Sequence, residues 1–239
     1  MNIGLLLCDE VSSRYEAIVP GGYPRLFREW LPGLEMTDFV LPKGEFPQSA
    51  ADFDAYVVSG SRHSVYESIP WIQQTAALVR DIQSTKKAYL GVCFGHQLLG
   101  HALGGRVAKA PTGWMVGVHE FSVSQSQTWM QPARSTFQVL MMCQDQVLEL
   151  PPGGTVIASA PNCPVGMLQV GERMIGIQGH PEFPIAYERA LLEDRKLRIG
   201  VETVEKALSS LARSPDVEIL RAWGLEFLEG AGIPSKKNS

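Results

Sequence analysis

The stretch YLGVCFGHQ, residues 89–97, decides how the rest of this chain is organised. Residues 88–92 form a short apolar run, which predicts a strand buried on both faces of a sheet. Apolar side chains then recur at helical spacing, which predicts a helix over residues 94–103. Cys93 therefore lies on a sharp turn between a strand and a helix, where a side chain can be presented at the end of the sheet.

Cys93 is a candidate nucleophile because of where this turn places it. Gly91 and Gly95 lie two residues away on either side and tolerate tight backbone geometry. A helix N-terminus offers unpaired N–H groups and the positive end of the helix dipole, which stabilise a negative charge on sulfur. The N–H of Phe94 can also point at the oxygen of an attacked carbonyl group. The alternative is that Cys93 is a small core residue, as free cysteines commonly are.

On either side of this turn, the pattern alternates between strands and helices. Upstream, it predicts strands at residues 3–7, 36–41 and 53–59 and helices at residues 23–31 and 70–84. Downstream, residues 107–177 carry short β-like runs, which we interpret as an antiparallel or mixed extension of the sheet. The fold class predicted is a flavodoxin-like, doubly wound α/β fold with a mostly parallel sheet. Ligands of such sheets bind beyond the carboxyl ends of the strands.

Composition argues against several classes of partner and cofactor. The formal net charge is −4 and the basic residues form no run longer than two, as at Lys236-Lys237 in the polar tail, so we expect no nucleic-acid partner. No apolar segment is long enough to cross a membrane, and the N-terminus lacks the basic region of a signal peptide, so we expect a cytoplasmic protein with no membrane contact. The four cysteines are too widely spaced for a disulfide framework or a zinc site. We expect neither a metal nor a cofactor.

A second motif, GHPE at residues 179–182, follows the last predicted strand. Positions two apart in an extended chain point to the same side, so His180 and Glu182 can face one crevice. The imidazole of His180 can take the thiol proton of Cys93 and later give it to a leaving group. Glu182 can accept the other ring N–H and fix the tautomer. Taken alone, a histidine at a strand end can instead be a solvated or capping residue.

The two motifs together resemble the class I glutamine amidotransferase family. The Gly-x-Cys-x-Gly-x-Gln turn at residues 91–97 and the His-Pro-Glu at residues 180–182 match in the family's order. That family uses a Cys-His-Glu triad on an α/β sheet. The resemblance therefore implies that Cys93 is the nucleophile, His180 the general base and acid, and Glu182 the carboxylate that orients it.

The resemblance also implies roles for residues around the triad. It makes the backbone N–H of Phe94 one oxyanion donor and the backbone N–H of Ser61 the second, because Gly60-Ser61 stands where the family has a Gly-Gly loop. Gly60 and Gln97 are the candidates for substrate contact. Gln97 matches a residue beside the glutamyl part of the substrate, and the alternative is a polar residue on the helix surface. Trp114 is a candidate for the wall of the pocket or for packing.

We expect one domain over residues 1–239. Residues 1–183 are its catalytic core, residues 184–230 are C-terminal helices, and residues 231–239 are a polar tail whose end is disordered. Within the helical part, the pattern predicts helices at residues 186–199, 201–211 and 217–228.

The reaction implied is attack of a thiolate on an amide carbonyl, followed by hydrolysis of a glutamyl thioester. The chain resembles stand-alone γ-glutamyl peptidases, with which it shares the Ser-Gly-Ser loop at residues 59–61 and the Gly-Trp segment at residues 113–114. This implies hydrolysis of a small-molecule γ-glutamyl amide or peptide. One alternative is a glutaminase subunit that delivers ammonia from glutamine to a separate synthase subunit. Another is a non-catalytic regulatory domain of the same fold.

Overall fold

The computed structural model of the chain describes residues 1–232. The predicted tail lies outside these residues, except for residues 231 and 232, which end the last helix. The strands are β1 Asn2–Leu7, β2 Glu35–Val40, β3 Ala55–Val58, β4 Ala88–Val92, β5 Arg106–Lys109, β6 Met115–Val123, β7 Thr136–Cys143, β8 Asp145–Glu149, β9 Gly154–Ala160, β10 Cys163–Val170 and β11 Met174–Ile177. The α-helices are α1 Gly22–Trp30, α2 Pro70–Ser84, α3 Phe94–Ala102, α4 Ile185–Asp194, α5 Lys196–Ile199, α6 Val201–Ser210 and α7 Val217–Gly232.

Nine of these strands form one sheet, in the order β2-β1-β3-β4-β11-β10-β9-β6-β7. The pairs from β2 through β1, β3 and β4 to β11 are all parallel, in the flavodoxin-like order. The pairs from β11 through β10, β9 and β6 to β7 are all antiparallel. The predicted fold class is therefore confirmed, including the antiparallel extension.

This strand order brings the segments singled out in the sequence to one edge of the sheet. β3, β4 and β11 are parallel neighbours, so their carboxyl ends meet. Gly60 follows the first of these ends, Cys93 the second and His180 the third. Segments that are far apart in the chain thereby converge on one place.

The apolar runs of the strands divide between two hydrophobic clusters, one on each face of the sheet. In β1, Ile3 and Leu5 belong to the cluster that contains Phe27 of α1 and Trp223 of α7. Leu6 belongs to the other cluster, which α2 and α3 cover. Because successive side chains of a strand point to opposite faces, a continuous apolar run is what a strand covered on both faces requires.

One pair of strands departs from the predicted extension of the main sheet. β5 and β8 form a separate two-stranded antiparallel sheet beside α3. Both strands are short, and β5 buries only Val107 fully. A four-residue strand such as β5, with a single buried apolar side chain, is too short to show the alternation of apolar and polar residues that identifies a strand.

The predicted helix over residues 186–199 is two helices. Arg195, with φ −96° and ψ 8°, ends α4 and begins α5, and Gly200 with φ 105° ends α5. The apolar pattern continues across Arg195, so it did not predict the break. No helix within residues 1–232 is both long and apolar enough to cross a membrane.

The antiparallel half curls back toward the end of β11. The backbone N–H of His180 donates to the carbonyl oxygen of Leu140 in β7, at 2.8 Å. Cys143, the last residue of β7, consequently lies near Cys93 and lines the same cavity. The curl therefore supplies one wall of the site.

Candidate active site

Cys93 occupies a strained turn between β4 and α3. Its φ of 51° and ψ of −99° place a non-glycine residue in a rarely populated backbone region. Hydrogen bonds hold the turn on both sides, from Cys93 N–H to the Ile177 carbonyl and from Gln97 N–H to the Cys93 carbonyl, each at 2.9 Å. Strain of this kind persists only where the surroundings determine it, and it is frequent at active sites.

The two glycines beside Cys93 are required by close approach of the backbone. A Cβ at Gly91 would lie 2.5 Å from the carbonyl carbon of Gly95, and a Cβ at Gly95 would lie 2.6 Å from the carbonyl oxygen of Val58. Any side chain at either position would push α3 away from the sheet. The spacing of these glycines in the sequence thus reflects packing at the turn.

His180 and Glu182 form a buried pair next to this turn. The Nδ1 atom of His180 and the Oε1 atom of Glu182 are 2.8 Å apart, and their side chains are 4% and 0% exposed. The ring of Phe183 stacks on the imidazole, with centroids 4.0 Å apart. The ring of His180 is therefore fixed in place by one hydrogen bond and one stacking contact.

The side chain of His180 lies beside that of Cys93, and Gly60 packs against both of them. Burial lowers the pKa of His180, but the charges of Glu182 and Cys93, together with the hydrogen bond to Glu182, raise that pKa well above its ordinary value. The arrangement stabilises an imidazolium between a carboxylate and a sulfur atom. Chemically, it can hold the proton that a thiol loses and deliver it to a neighbouring atom.

The loop after β3 closes over Cys93 and His180. A Cβ at Gly60 would lie 2.9 Å from Cε1 of His180 and 3.6 Å from Cβ of Cys93. The Oγ atom of Ser59 accepts a hydrogen bond from Cys8 N–H at 2.8 Å and donates to the Gly60 carbonyl at 3.0 Å, which fixes the start of the loop. Ser61 then lines the cavity together with Cys93.

The N–H of Phe94 has no partner within α3, because Phe94 is the first residue of that helix. Phe94 directly follows Cys93 in the chain, so its N–H lies close to the Cys93 side chain. The aromatic ring of Phe94 is buried in the core on the α2–α3 face of the sheet. The side chain therefore anchors the turn, while the N–H is free of the helix ladder.

A pair of buried glutamines lies against Cys93, and the sequence analysis singled out only one of them. Nε2 of Gln178 lies 3.7 Å from Cys93 Sγ and can donate to it. Oε1 of Gln178 accepts from Nε2 of Gln97 at 3.3 Å, and that nitrogen also donates to the Asp145 carbonyl at 2.7 Å. Gln178 precedes His180 by two residues, as His180 precedes Glu182, and this spacing was the signal that could have identified Gln178.

The cavity at Cys93 contains some, but not all, of the predicted residues. Ser61, Cys93 and Gln97 line it, whereas His180 and Glu182 do not. His63 and Trp114 line it as well. Gln97 is buried and engaged by its amide nitrogen, so it is not a polar residue on the helix surface.

Among residues 1–232, Cys93 is the one cysteine that lies beside a buried His–Glu pair. Burial raises the pKa of Cys8, and burial raises the pKa of Cys163 to about 12. Burial and the nearby Cys93 raise the pKa of Cys143 well above its ordinary range. These three thiols are held in the protonated form, so the geometry distinguishes Cys93 from them.

Glu188 is a second buried carboxyl group, which the sequence analysis did not identify. Its Oε1 accepts from the Gly117 N–H at 3.2 Å, and its Oε2 has no hydrogen-bond partner among the described residues. Burial raises the pKa of Glu188 to about 7, although the charge of His180 lowers it. Residues 1–232 hold no group of three or more His, Cys, Asp or Glu side chains arranged to bind a metal ion.

Comparisons with known proteins agree with this fold. The family model described as "Glutamine amidotransferase class-I" matches residues 37–197. Gamma-glutamyl peptidase 3 of Arabidopsis thaliana is 28% identical over 95% of this chain and 95% of its own length. A glutamine-hydrolysing GMP synthase of Aeropyrum pernix is 36% identical over 75% of this chain and 34% of its own length. The solved structure of a glutamine amido transferase from Methylobacillus flagellatus is 20% identical and has a TM-score of 0.76, covering 98% of this chain and 95% of that one.

Proposed function

This chain belongs to the class I glutamine amidotransferase family, and on that premise we propose that it is a cysteine-nucleophile hydrolase of γ-glutamyl amide bonds. Its substrate is a γ-glutamyl conjugate or peptide. The observation that carries the proposal is the contact of Cys93, at a strained turn, with the buried His180–Glu182 pair. A thiol nucleophile needs a base and a group that orients the base, and this contact supplies both.

In the proposed reaction, His180 takes the thiol proton and the Cys93 sulfur attacks the γ-carbonyl carbon of the substrate. The oxyanion that forms accepts hydrogen bonds from the backbone N–H groups of Phe94 and Ser61. His180 then protonates the leaving nitrogen, so the C–N bond breaks and a glutamyl thioester remains on Cys93. His180 takes a proton from water, the resulting hydroxide cleaves the thioester, and glutamate leaves as the thiol is restored.

The substrate class rests on the likeness to a γ-glutamyl peptidase over nearly the full length of both chains. Gln97 and Gly60 contact the glutamyl part in this proposal. We further propose that residues 1–183 form the catalytic core and that the following helices complete the same domain. Trp223 and Leu228 of α7 support this, because they belong to the same hydrophobic cluster as β1.

A second candidate is a glutaminase subunit that passes ammonia to a separate synthase. It is favoured by the likeness to a glutamine-hydrolysing GMP synthase, of which this chain matches about a third. The chemistry at Cys93 is identical in the two candidates. They differ in the leaving group, which is ammonia in one case and a larger amine in the other.

Glutamate release from γ-glutamyl dipeptides and from glutamine, measured side by side, tests the proposal. We expect faster release from the dipeptides, loss of release in Cys93→Ala, and retained release in Cys163→Ala, which removes a buried thiol outside the cavity. Slow release with glutamine as the best substrate would favour the glutaminase subunit. No release from either substrate would favour the alternative of a non-catalytic regulatory domain. Release that persists in Cys93→Ala would exclude Cys93 as the nucleophile.

A further inference from the structure

The mouth of the Cys93 cavity is positively charged, although the chain carries a formal net charge of −4. Four basic residues line the cavity, namely Arg62, Lys109, Arg195 and Arg198. The only acidic side chain among the lining residues is Asp145, whose Oδ1 accepts from the Tyr66 hydroxyl at 3.2 Å. Local charge of this sign concentrates anionic ligands at the opening.

Among the described residues, three of these four cations form no ion pair, namely Lys109 on β5 and the two arginines Arg195 and Arg198. Arg62 is held by Asp9, with Nε 2.8 Å from Oδ2. Arg195 and Arg198, by contrast, form no ion pair with any residue in the described part of the chain. Their neighbours on the same segment are paired, Asp194 with Arg14 and Lys196 with Glu205. Arg195 and Arg198 thus differ from the two charged residues directly beside Arg195, Asp194 and Lys196, both of which form ion pairs.

Arg198 is oriented by an aromatic side chain of the cavity wall. Its guanidinium carbon lies 5.2 Å from the ring centroid of Trp114, which lines the cavity. Stacking on a ring holds the guanidinium plane and leaves the N–H groups at its edge available. A guanidinium presented in this way can donate two parallel hydrogen bonds to a carboxylate.

The chemistry assigns the two arginines to one end of the substrate. His180 protonates the leaving nitrogen, so the leaving group lies on the His180 side of the cavity. That side continues through Phe183, stacked on His180, and Tyr187, in edge contact with Phe183, along α4 to Arg195. The proposed function places the glutamyl part next to Gln97, which leaves the region of Arg195 and Arg198 for the leaving amine.

A second cavity extends the site in the same direction. It shares Arg62, Arg195 and Arg198 with the first, and the aromatic rings of Tyr15 and Tyr187 line it. Its three carboxylates are paired, Asp9 with Arg62, Glu10 with Lys43, and Asp194 with Arg14. The uncommitted charges between the two cavities are therefore those of Arg195 and Arg198.

We propose that Arg195 and Arg198 bind a carboxylate on the leaving amine. The substrates then favoured are γ-glutamyl amino acids and γ-glutamyl peptides with a free terminal carboxylate, over γ-glutamyl alkylamides and glutamine. This inference rests on the proposed function and narrows its substrate class. A hydrogen bond between charged groups is strong enough to change kcat/KM by about tenfold or more.

The test compares γ-glutamylglycine with γ-glutamylethylamide, two substrates of nearly equal size that differ in the leaving-group carboxylate. The quantity measured is the ratio of their kcat/KM values. We expect a ratio of about ten or more in the wild-type protein, falling by about tenfold in Arg198→Gln and in Arg195→Gln. Lys196→Gln is the matched control, since it removes one positive charge from the same segment, and its ratio stays at the wild-type value.

Three outcomes would overturn the inference while leaving the proposed function intact. The wild-type protein could cleave both substrates equally well. The preference could survive in both arginine variants. Arg198→Gln could lower kcat/KM equally for both substrates, which would mean that it binds the α-carboxylate of the glutamyl part. Failure to release glutamate from either substrate would instead count against the proposed function. Thermal unfolding of each variant verifies that the fold is retained.

Discussion

The two ends of the cavity differ in burial and in how their polar groups are satisfied. At the Cys93 end, the side chains of His180 and Glu182 are buried and hydrogen-bonded to each other, and the buried Gln178 donates to the Cys93 sulfur. At the α5 end, Arg195 is half-buried, Arg198 is exposed, and neither has an ion-pair partner among the described residues. A buried network fixes geometry and proton positions, whereas an exposed cation is available to a ligand. We interpret the first end as the one that determines reactivity and the second as the one that determines substrate choice.

The largest loss of activity is expected from a substitution at the buried Cys93 end of the cavity. His180→Ala removes the group that holds the thiol proton, and we expect kcat/KM for a γ-glutamyl dipeptide to fall by about 1,000- to 10,000-fold. His101→Ala, which removes a half-buried histidine outside the cavity, serves as the control. Equal activity of the two variants would mean that His180 is not part of the reaction.

Glu182→Gln tests whether the carboxylate acts through the imidazole. The charge of Glu182 raises the pKa of His180, so its removal lowers that pKa and leaves less imidazolium at alkaline pH. We expect kcat to fall by about 100-fold and the alkaline limb of the pH–rate profile to move to lower pH. A fall in kcat with an unchanged pH profile would contradict this role.

Glu188→Gln probes a buried carboxyl that is not hydrogen-bonded to the imidazole. Because burial raises the folded-state pKa of Glu188 to about 7, its favourable contribution to stability is present below its ordinary pKa and is lost as pH rises through 7. The free energy of unfolding of the variant, relative to that of the wild type, is therefore expected to be about 2 kcal/mol higher at pH 8 than at pH 5. Denaturant unfolding at the two pH values measures this gain, and a pH-independent difference would refute the assignment.

The smallest effect is expected at Gln178, whose amide lies 3.7 Å from the Cys93 sulfur. Gln178→Leu removes one neutral hydrogen bond to that atom, so kcat/KM should fall by roughly three- to tenfold. Gln146→Leu is the matched control, because Gln146 is also buried and its amide donates to the Asn162 carbonyl at 2.9 Å. If both variants lose activity equally, the loss reflects general destabilisation.

Elements with strong local patterns could be predicted from the sequence. The helix at Pro70–Ser84 and the strand at Ala88–Val92 have the predicted bounds. The helix combines a helical apolar period with a proline at its start, and the strand is a continuous apolar run that ends at a sharp turn. The turn at Cys93 was recognisable because close backbone contacts, with Gly95 and with Val58, allow only glycine at positions 91 and 95. Structural features that depend on nearby residues can therefore be predicted from the sequence pattern.

Features that depend on tertiary contacts left no such signature. The helix breaks at Arg195, although the apolar pattern of the sequence continues across that residue. The strands of the β5–β8 sheet are too short for an alternation of apolar and polar residues to be recognised. The stacking of Arg198 on Trp114 joins residues far apart in the chain. Gln178 owes its contact with sulfur to the neighbouring strand β4. Only the folded arrangement shows these contacts.

The most direct test of the central claim is the rate at which iodoacetamide alkylates each of the four cysteines of the native protein at pH 7, followed by mass spectrometry. A thiol held against an imidazolium reacts faster than one held protonated by burial. We predict that Cys93 is alkylated at least about tenfold faster than Cys8, Cys143 and Cys163, and that His180→Ala abolishes this advantage. Alkylation of Cys93 no faster than that of the other three would contradict the account.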